Sequence, residues 1–202
     1  ESGPLAAFHL SERLRPDARS ALDALRAQAL QLEIASGDAP DRVAAIASRL
    51  DVDRWRARLT PADKLARLRE LRASGARVVA VGDGINDAPV LAGADVAVAM
   101  ASGAELAQAS SDIVLTGERL SALAEARSLS RQTLAILRQN QRWALTYNLC
   151  VVPLAALGFV PPWLAALGMS LSSLVVVLNA LRIGHETERV EQVGGRPAEV
   201  VA

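Results

Sequence analysis

The spacing of apolar residues changes character part-way along this chain of 202 residues. In the first half, short apolar runs alternate with segments whose hydrophobic positions recur every three or four residues. Residues 16–28 read as a helix with Ala18, Ala21, Leu22 and Leu25 on one face, and residues 41–50 as another with Val43, Ile46, Ala47 and Leu50. Thr60-Pro61 opens a third helix, with the hydroxyl placed to cap it and the proline where a missing N–H costs nothing; Gly75 stops it. Residues 30–35 and 77–81 have the composition of buried strands, and 96–100 and 112–115 are two further short strands separated by small polar residues. Strands and helices in alternation predict an α/β fold on a parallel, doubly wound sheet.

Beyond this point the apolar runs lengthen. Residues 120–142 pattern as one long helix carrying Arg127, Arg131, Arg138 and Arg142, and it feeds directly into apolar sequence. Residues 143–160 and 163–183 hold no charge until Arg182, and each is about as long as a helix must be to cross a ~30 Å hydrocarbon core. Phe159-Val160-Pro161-Pro162 would turn the chain between them. Arg138 and Arg142 flank one outer end and Arg182 and Arg189 the other, so the positive-inside bias puts both ends and the soluble part in the cytoplasm. The chain thus divides into a soluble domain (1–120), a connecting helix (121–142), a membrane hairpin (143–183) and a cytoplasmic tail (184–202). Two core helices of a large soluble protein are the competing reading, disfavoured because apolar runs this long are rare there.

Composition agrees with that division. The chain is 51% hydrophobic with mean hydropathy +0.22, more apolar than an ordinary soluble protein, and the excess lies between Trp143 and Ile183. A balance of 22 basic and 22 acidic residues, with pI near 7.0, offers no electrostatic case for nucleic acid as a partner. One cysteine excludes an internal disulfide framework and an all-cysteine metal cage. The first residue is Glu1 and no signal-peptide pattern follows it, so a truncated or processed chain is expected.

Chemistry concentrates at residues 78–89. An apolar, β-branched run ends in Gly82-Asp83-Gly84, and residues 86–91 then read as a helix start. This is the layout of a phosphate and metal site at the carboxyl edge of a parallel sheet. Gly82 and Gly84 permit close approach to the backbone, Asp83 is a hard oxygen ligand suited to Mg2+, and Asp87, one helical turn on, can face the same point. An Asp-Gly hairpin is the alternative, but residues 86–92 make a poor second strand. Two other places feed the same edge. Ser36-Gly37-Asp38 ends a strand, where a hydroxyl and a free N–H could hold a phosphoryl oxygen; Lys64 sits in a first helical turn, where a cation opposes the helix dipole. Such a broken local rule can mark function, although a solvated lysine accounts for it too.

Within the apolar segments the polar residues are Tyr147, Asn148, Ser170, Ser172, Ser173 and Asn179, together with the thioether of Met169. Polar side chains in lipid are costly and tend to face the protein interior. Met169, Ser172 and Ser173 fall at i, i+3 and i+4 on one face, where a thioether suits Cu(I); helix packing explains the same pattern equally well. Cys150 reads as packing, or as a thiol touching a metal in transit near Asn148. His9 and His185 read as incidental.

These motifs resemble the P-type ATPases. Residues 82–89 match the GDGxNDxP hinge motif of that family, Ser36-Gly37-Asp38 is similar to its TGD-type element, and Lys64 falls where it carries its phosphorylation-domain lysine. Leu14-Arg15-Pro16 resembles an LRP segment, with Glu12 where an aspartate is usual. Tyr147-Asn148 and the Met-x-x-Ser-Ser pattern of residues 169–173 are similar to the last two helices of copper-type heavy-metal pumps. Zinc, cadmium and lead relatives typically bring an aspartate into the final helix, and no acidic residue lies between Trp143 and Arg182 here. Residues 161–170 look most like the branch that supplies copper for cytochrome oxidase assembly. The resemblance covers nearly the whole chain.

It implies a partial, Rossmann-like phosphorylation domain of the haloacid-dehalogenase type followed by a two-helix transmembrane hairpin, within an ATP-driven exporter of Cu(I) across the bacterial plasma membrane. An aspartyl phosphate would be the intermediate. Asp83 would hold Mg2+; Lys64, Ser36 and Gly37 would stabilise the phosphoryl group; Asp38, Asn86 and Asp87 would support them, with Gly82 and Gly84 lining the loop. Tyr147, Asn148, Met169 and Ser173 would belong to the Cu(I) pathway. Mg2+ is the implied cofactor, ATP the substrate, Cu(I) the cargo, and the lipid membrane and a copper chaperone the partners. The aspartate of DKTG, the nucleotide domain, the TGE loop and the Cys-Pro-Cys helix are not in this sequence, so the fragment is expected to begin after the nucleotide domain, end at the natural C-terminus and be inactive alone. A membrane-tethered phosphatase of the same superfamily and a non-catalytic membrane module are the alternatives.

Overall fold

A computed structural model describes residues 14–117 and 119–183. Glu12, His9, His185, Arg189 and the tail from residue 184 lie outside the described residues. The chain forms two compact units, Glu1–Ala124 and Glu125–Ala202.

The first unit alternates helices and strands: α1 (Ala18–Ala27), β1 (Glu33–Ala35), α2 (Pro40–Leu50), β2 (Arg54–Arg56), α3 (Pro61–Ala73), β3 (Val79–Gly82), a 3-10 turn (Ile85–Asp87), α4 (Ala88–Gly93), β4 (Val96–Met100), α5 (Glu105–Ala109) and β5 (Ile113–Leu115). Every strand pair is parallel, as the alternation requires. The expected single sheet is instead two: β1 pairs with β2, and β3, β4 and β5 follow one another in order. Among the described residues β3 pairs on one edge only, and Val79 and Val81 on it are 51% and 45% exposed. An apolar open edge is the kind that pairs with a further strand.

Burial follows the pattern of apolar residues. Residues 97–100 of β4 are buried on both faces, which is why this central strand reads as an unbroken apolar run. Leu91, Ala97 and Ala107 make one core cluster, Val98, Met100 and Leu115 another, and Ala18, Leu50 and Val52 a third. Leu120 packs against both of the last two. Two elements were not legible: β2 is Arg-Trp-Arg, exposed throughout, so it carries no alternation, and α5 is too short for a helical period to show.

α6 (Ser121–Ala156) is one continuous helix, so the expected change from connecting helix to membrane segment near residue 142 brings no break. Pro153 lies inside it near its end, and its missing N–H deprives the Leu149 carbonyl, four residues back, of its helical donor. Gly158 takes φ +78 in the turn, Pro161 caps the next helix, and α7 runs Pro162–Ala180. Among the described residues α7 alone is long and apolar enough to cross a membrane, with a mean hydropathy of 1.8. α6 falls short because Asn140, Gln141, Arg142, Tyr147 and Asn148 dilute its apolar part. The two helices nevertheless meet along an antiparallel ladder. Asn179 donates to Asn140 at 2.8 Å, Trp143 Nε1 donates to Ser172 Oγ at 3.1 Å, and the Tyr147 hydroxyl fills the space a side chain at Gly168 would need.

Candidate phosphoryl and magnesium site

α3 is the element that aims Lys64. Thr60 Oγ1 accepts the Asp63 N–H at 3.2 Å while the Asp63 carboxylate accepts the Thr60 N–H at 2.9 Å, a reciprocal capping box that fixes where the helix starts. The Thr60 hydroxyl and then its N–H hold the Asp63 carboxyl below the usual range. One turn on, Arg67 closes a fork on Glu33 at the start of β1, Nε to Oε1 at 2.9 Å and Nη2 to Oε2 at 2.8 Å. Arg56 of β2 also reaches Glu33 at 3.2 Å, and Arg67 Nη1 reaches Glu70 at 2.8 Å. This network ties α3 to the sheet whose far end carries Ser36-Gly37-Asp38.

Lys64 Nζ lies 2.7 Å from Asp87 Oδ1, with the side chains 16% and 23% exposed. Asp87 reaches it by folding back over Gly82, where an added Cβ would stand 2.7 Å from Asp87 Cβ. Gly82 is therefore required by the aspartate that follows it. Asp83, between Gly82 and Gly84, is exposed and its carboxylate has no protein partner among the described residues. Asn86 is likewise exposed on the 3-10 turn.

At the other strand end, Ser36 Oγ donates to Asp38 Oδ2 at 2.7 Å and accepts the Asp38 N–H at 3.1 Å. Its own N–H goes to Arg56 O. The expectation that the Ser36 hydroxyl donates to a phosphoryl oxygen thus meets a competitor, since its one O–H is already donated to the Asp38 carboxylate. The Gly37 N–H donates to no acceptor among the described residues, and a Cβ there would stand 3.3 Å from Leu59 O.

Among the described residues no three His, Cys, Asp or Glu side chains gather as a metal cage. The donor set still fits Mg2+, which keeps several waters and takes one or two carboxylates plus a substrate phosphate. Asp83 offers a free hard oxygen, whereas Asp87 Oδ1 is committed to Lys64.

In the second unit Tyr147 is half-buried against Gly168, while Asn148, Met169 and Ser173 are exposed, and no hydrogen bond joins the four. Ser172, expected on one face with Met169 and Ser173, turns instead to Trp143 and serves packing. Cys150 is exposed rather than packed.

Residues 3–95 match the haloacid dehalogenase-like hydrolase family. The chain is 46% identical over 177 residues to the nitrogen fixation protein FixI of Bradyrhizobium diazoefficiens, covering 88% of this chain and 24% of that protein. It is 40% identical to a probable copper-exporting P-type ATPase V of Mycobacterium tuberculosis, over 86% of this chain and 23% of that one. A crystal structure of a zinc-transporting PIB-type ATPase in the E2.Pi state superposes with TM-score 0.79 at 37% identity, over 85% of this chain and 28% of that one. This chain corresponds to a segment of the heavy-metal P-type ATPases. It spans about a quarter of the length of the curated relatives it matches.

Sequence reasoning singled out Lys64, Asp83 and Asp87, of which the structure pairs Lys64 with Asp87, but it did not single out Glu33, Arg67 or the segment around Gly103 that touches Asp83. Isolated charges and a glycine among small residues carry no signal until the fold brings them together.

Proposed function

We propose that this chain is the part of an ATP-driven pump that carries the Mg2+-binding half of the phosphorylation site and two membrane helices, and that the exported ion is Cu(I). The observation that carries this reading is the Lys64–Asp87 pair folded over Gly82 beside the unpaired Asp83 carboxylate. In the full-length protein a carboxylate oxygen outside this chain attacks the γ-phosphorus of ATP, the bond to ADP breaks, and water later cleaves the acyl phosphate to carboxylate and phosphate. Asp83 would hold Mg2+, which would supply Lewis-acid charge at that centre. Lys64 and the Gly37 N–H stabilise the transferring group by fixed charge and a preset donor. The open β3 edge is where we place the strand that brings the nucleophile.

Relatives of copper type by sequence and of zinc type by structure both match this chain, so the choice of ion rests on its own residues. Met169, a soft thioether, with Tyr147, Asn148 and Ser173, suits Cu(I), and the absence of an acidic residue from Trp143 to Arg182 argues against Zn2+. The arginines flanking both helices support a cytoplasmic soluble unit in a bacterial inner-membrane protein. We add a copper chaperone as the proposed partner that delivers this cargo.

The test is an acid-stable, hydroxylamine-labile phosphoenzyme formed from ATP by the full-length protein. Asp83→Asn should abolish its dependence on Mg2+ and lower its yield; an unchanged Mg2+ requirement and yield would refute the reading.

A further inference from the structure

Asp83 is held in an unusual way for a metal ligand. It lies between two glycines, and its carboxylate has no protein partner among the described residues. Its position must come from its main chain. The Ala104 N–H donates to Asp83 O at 2.8 Å. A Cβ at Gly103 would stand 2.6 Å from that same oxygen, 2.9 Å from Asp83 Cα and 2.9 Å from Met100 O, so two backbones are packed directly on each other there.

The segment pressing on Asp83 is itself fixed from behind. Gln108 Nε2 donates to Ala101 O at 3.0 Å and to Gly103 O at 3.1 Å. Both partners are carbonyl oxygens, so the nitrogen end of the amide must face them. α5 anchors the glutamine through Ala107, which is 0% exposed. Among the described residues no other side chain bonds both Ala101 and Gly103.

We propose that Gln108 is a positioning residue for the Mg2+ ligand. By stapling residues 101–103 it sets the Ala104 N–H that holds the Asp83 carbonyl, and thereby places the Asp83 carboxylate. This rests on the proposed function above. Ligating carboxylates need their geometry held by outer contacts, whose loss typically costs about 10–100-fold in metal affinity.

The experiment uses the full-length protein with Gln108→Met, which keeps the bulk and removes the donors, and Gln108→Lys, which restores one. Amide hydrogen exchange of residues 101–104 is measured without metal, and the Mg2+ concentration for half-maximal phosphorylation by inorganic phosphate is measured separately. We expect Gln108→Met to speed exchange in that segment about 10-fold and to raise the Mg2+ half-point about 10-fold, and Gln108→Lys to restore both to within about threefold of the parent. Should Gln108→Met not accumulate as folded protein, Gln108→Ser, too short to reach either carbonyl, takes its place. Unchanged exchange overturns the proposal, as does faster exchange with an unchanged Mg2+ half-point. If the unsubstituted protein forms no Mg2+-dependent phosphoenzyme, the proposed function fails, while the exchange result still reports on the staple.

Discussion

The Lys64 ammonium and the Asp87 carboxylate form a 2.7 Å pair across 23 residues of sequence, and that pair joins the start of α3 to the turn after β3. The lysine is thus held by the same motif whose aspartate it would assist. Replacing Lys64 by Ala should lower phosphoenzyme formation about 100-fold, the scale of losing one charged donor at a developing negative charge. Lys64→Arg should rescue poorly, because a planar fork does not occupy the place of a point charge. Rapid-quench phosphorylation checks both; a Lys64→Ala protein with the parent rate would remove Lys64 from the site.

Gly82 is needed for space rather than for flexibility. Its missing side chain leaves room for Asp87, so Gly82→Ala must displace the aspartate or the strand end by several tenths of an ångström. We predict a loss of phosphorylation comparable to that of Asp87→Ala and not additive with it, since both break one pair. A double variant much worse than either single one would contradict this.

The Glu33–Arg67 fork makes stability depend on pH. The Arg67 guanidinium hydrogen bonds, opposed by burial and aided by the charges of Arg67 and Arg56, hold the Glu33 carboxyl below its ordinary value of 4.5. Glu33 therefore binds its proton less readily folded than unfolded. Its contribution is fully present above about pH 4.5 and is lost as pH falls through the lowered folded value. Glu33→Gln should cost about 1.5–3 kcal/mol at pH 7 and flatten the acid side of the stability curve. Urea unfolding from pH 7 to 3 measures this, and parallel curves for the two proteins would rule the fork out as a stabilising contact.

How much of this was legible follows the same physics. The Thr60 cap, the α3 helix and the β4 run could be read because capping, helical period and apolar continuity are local signals. Lys64 stood out as a departure from the helix-dipole rule, and Asp83 by its place between two glycines at the end of an apolar strand. The division into two sheets was hidden, because whether β1 pairs with β2 or β3 is a tertiary matter. The Asp87 partner, the Glu33–Arg67 fork and the Gln108 staple join residues from separate elements, or from a loop and a short helix without pattern, and no spacing announces them. In α7, period alone could not separate Ser172, bound to Trp143, from its exposed neighbour Ser173.

The α6–α7 ladder should tolerate loss of a hydrogen bond better than loss of space. Asn179→Ala removes its bonds to Asn140 and Gln139 on α6 and the one it accepts from Arg182, and should cost about 0.6 kcal/mol per interhelical contact, the usual scale for polar contacts between membrane helices. Gly168→Leu should do more harm, since a Cβ there already stands 2.6 Å from the Tyr147 hydroxyl. Cross-linking yield between cysteines placed on the two helices reads the difference; equal yields in both variants would mean that Tyr147 does not pack on Gly168.

The measurement that tests the account most directly is metal-stimulated ATP hydrolysis by the full-length protein in detergent, with Cu(I) and Zn2+ compared under reducing conditions. The account predicts stimulation by Cu(I), little by Zn2+, and loss of the Cu(I) response in Met169→Ala. Stimulation by Zn2+ with none by Cu(I), or a Met169→Ala protein responding to Cu(I) like the parent, would contradict it.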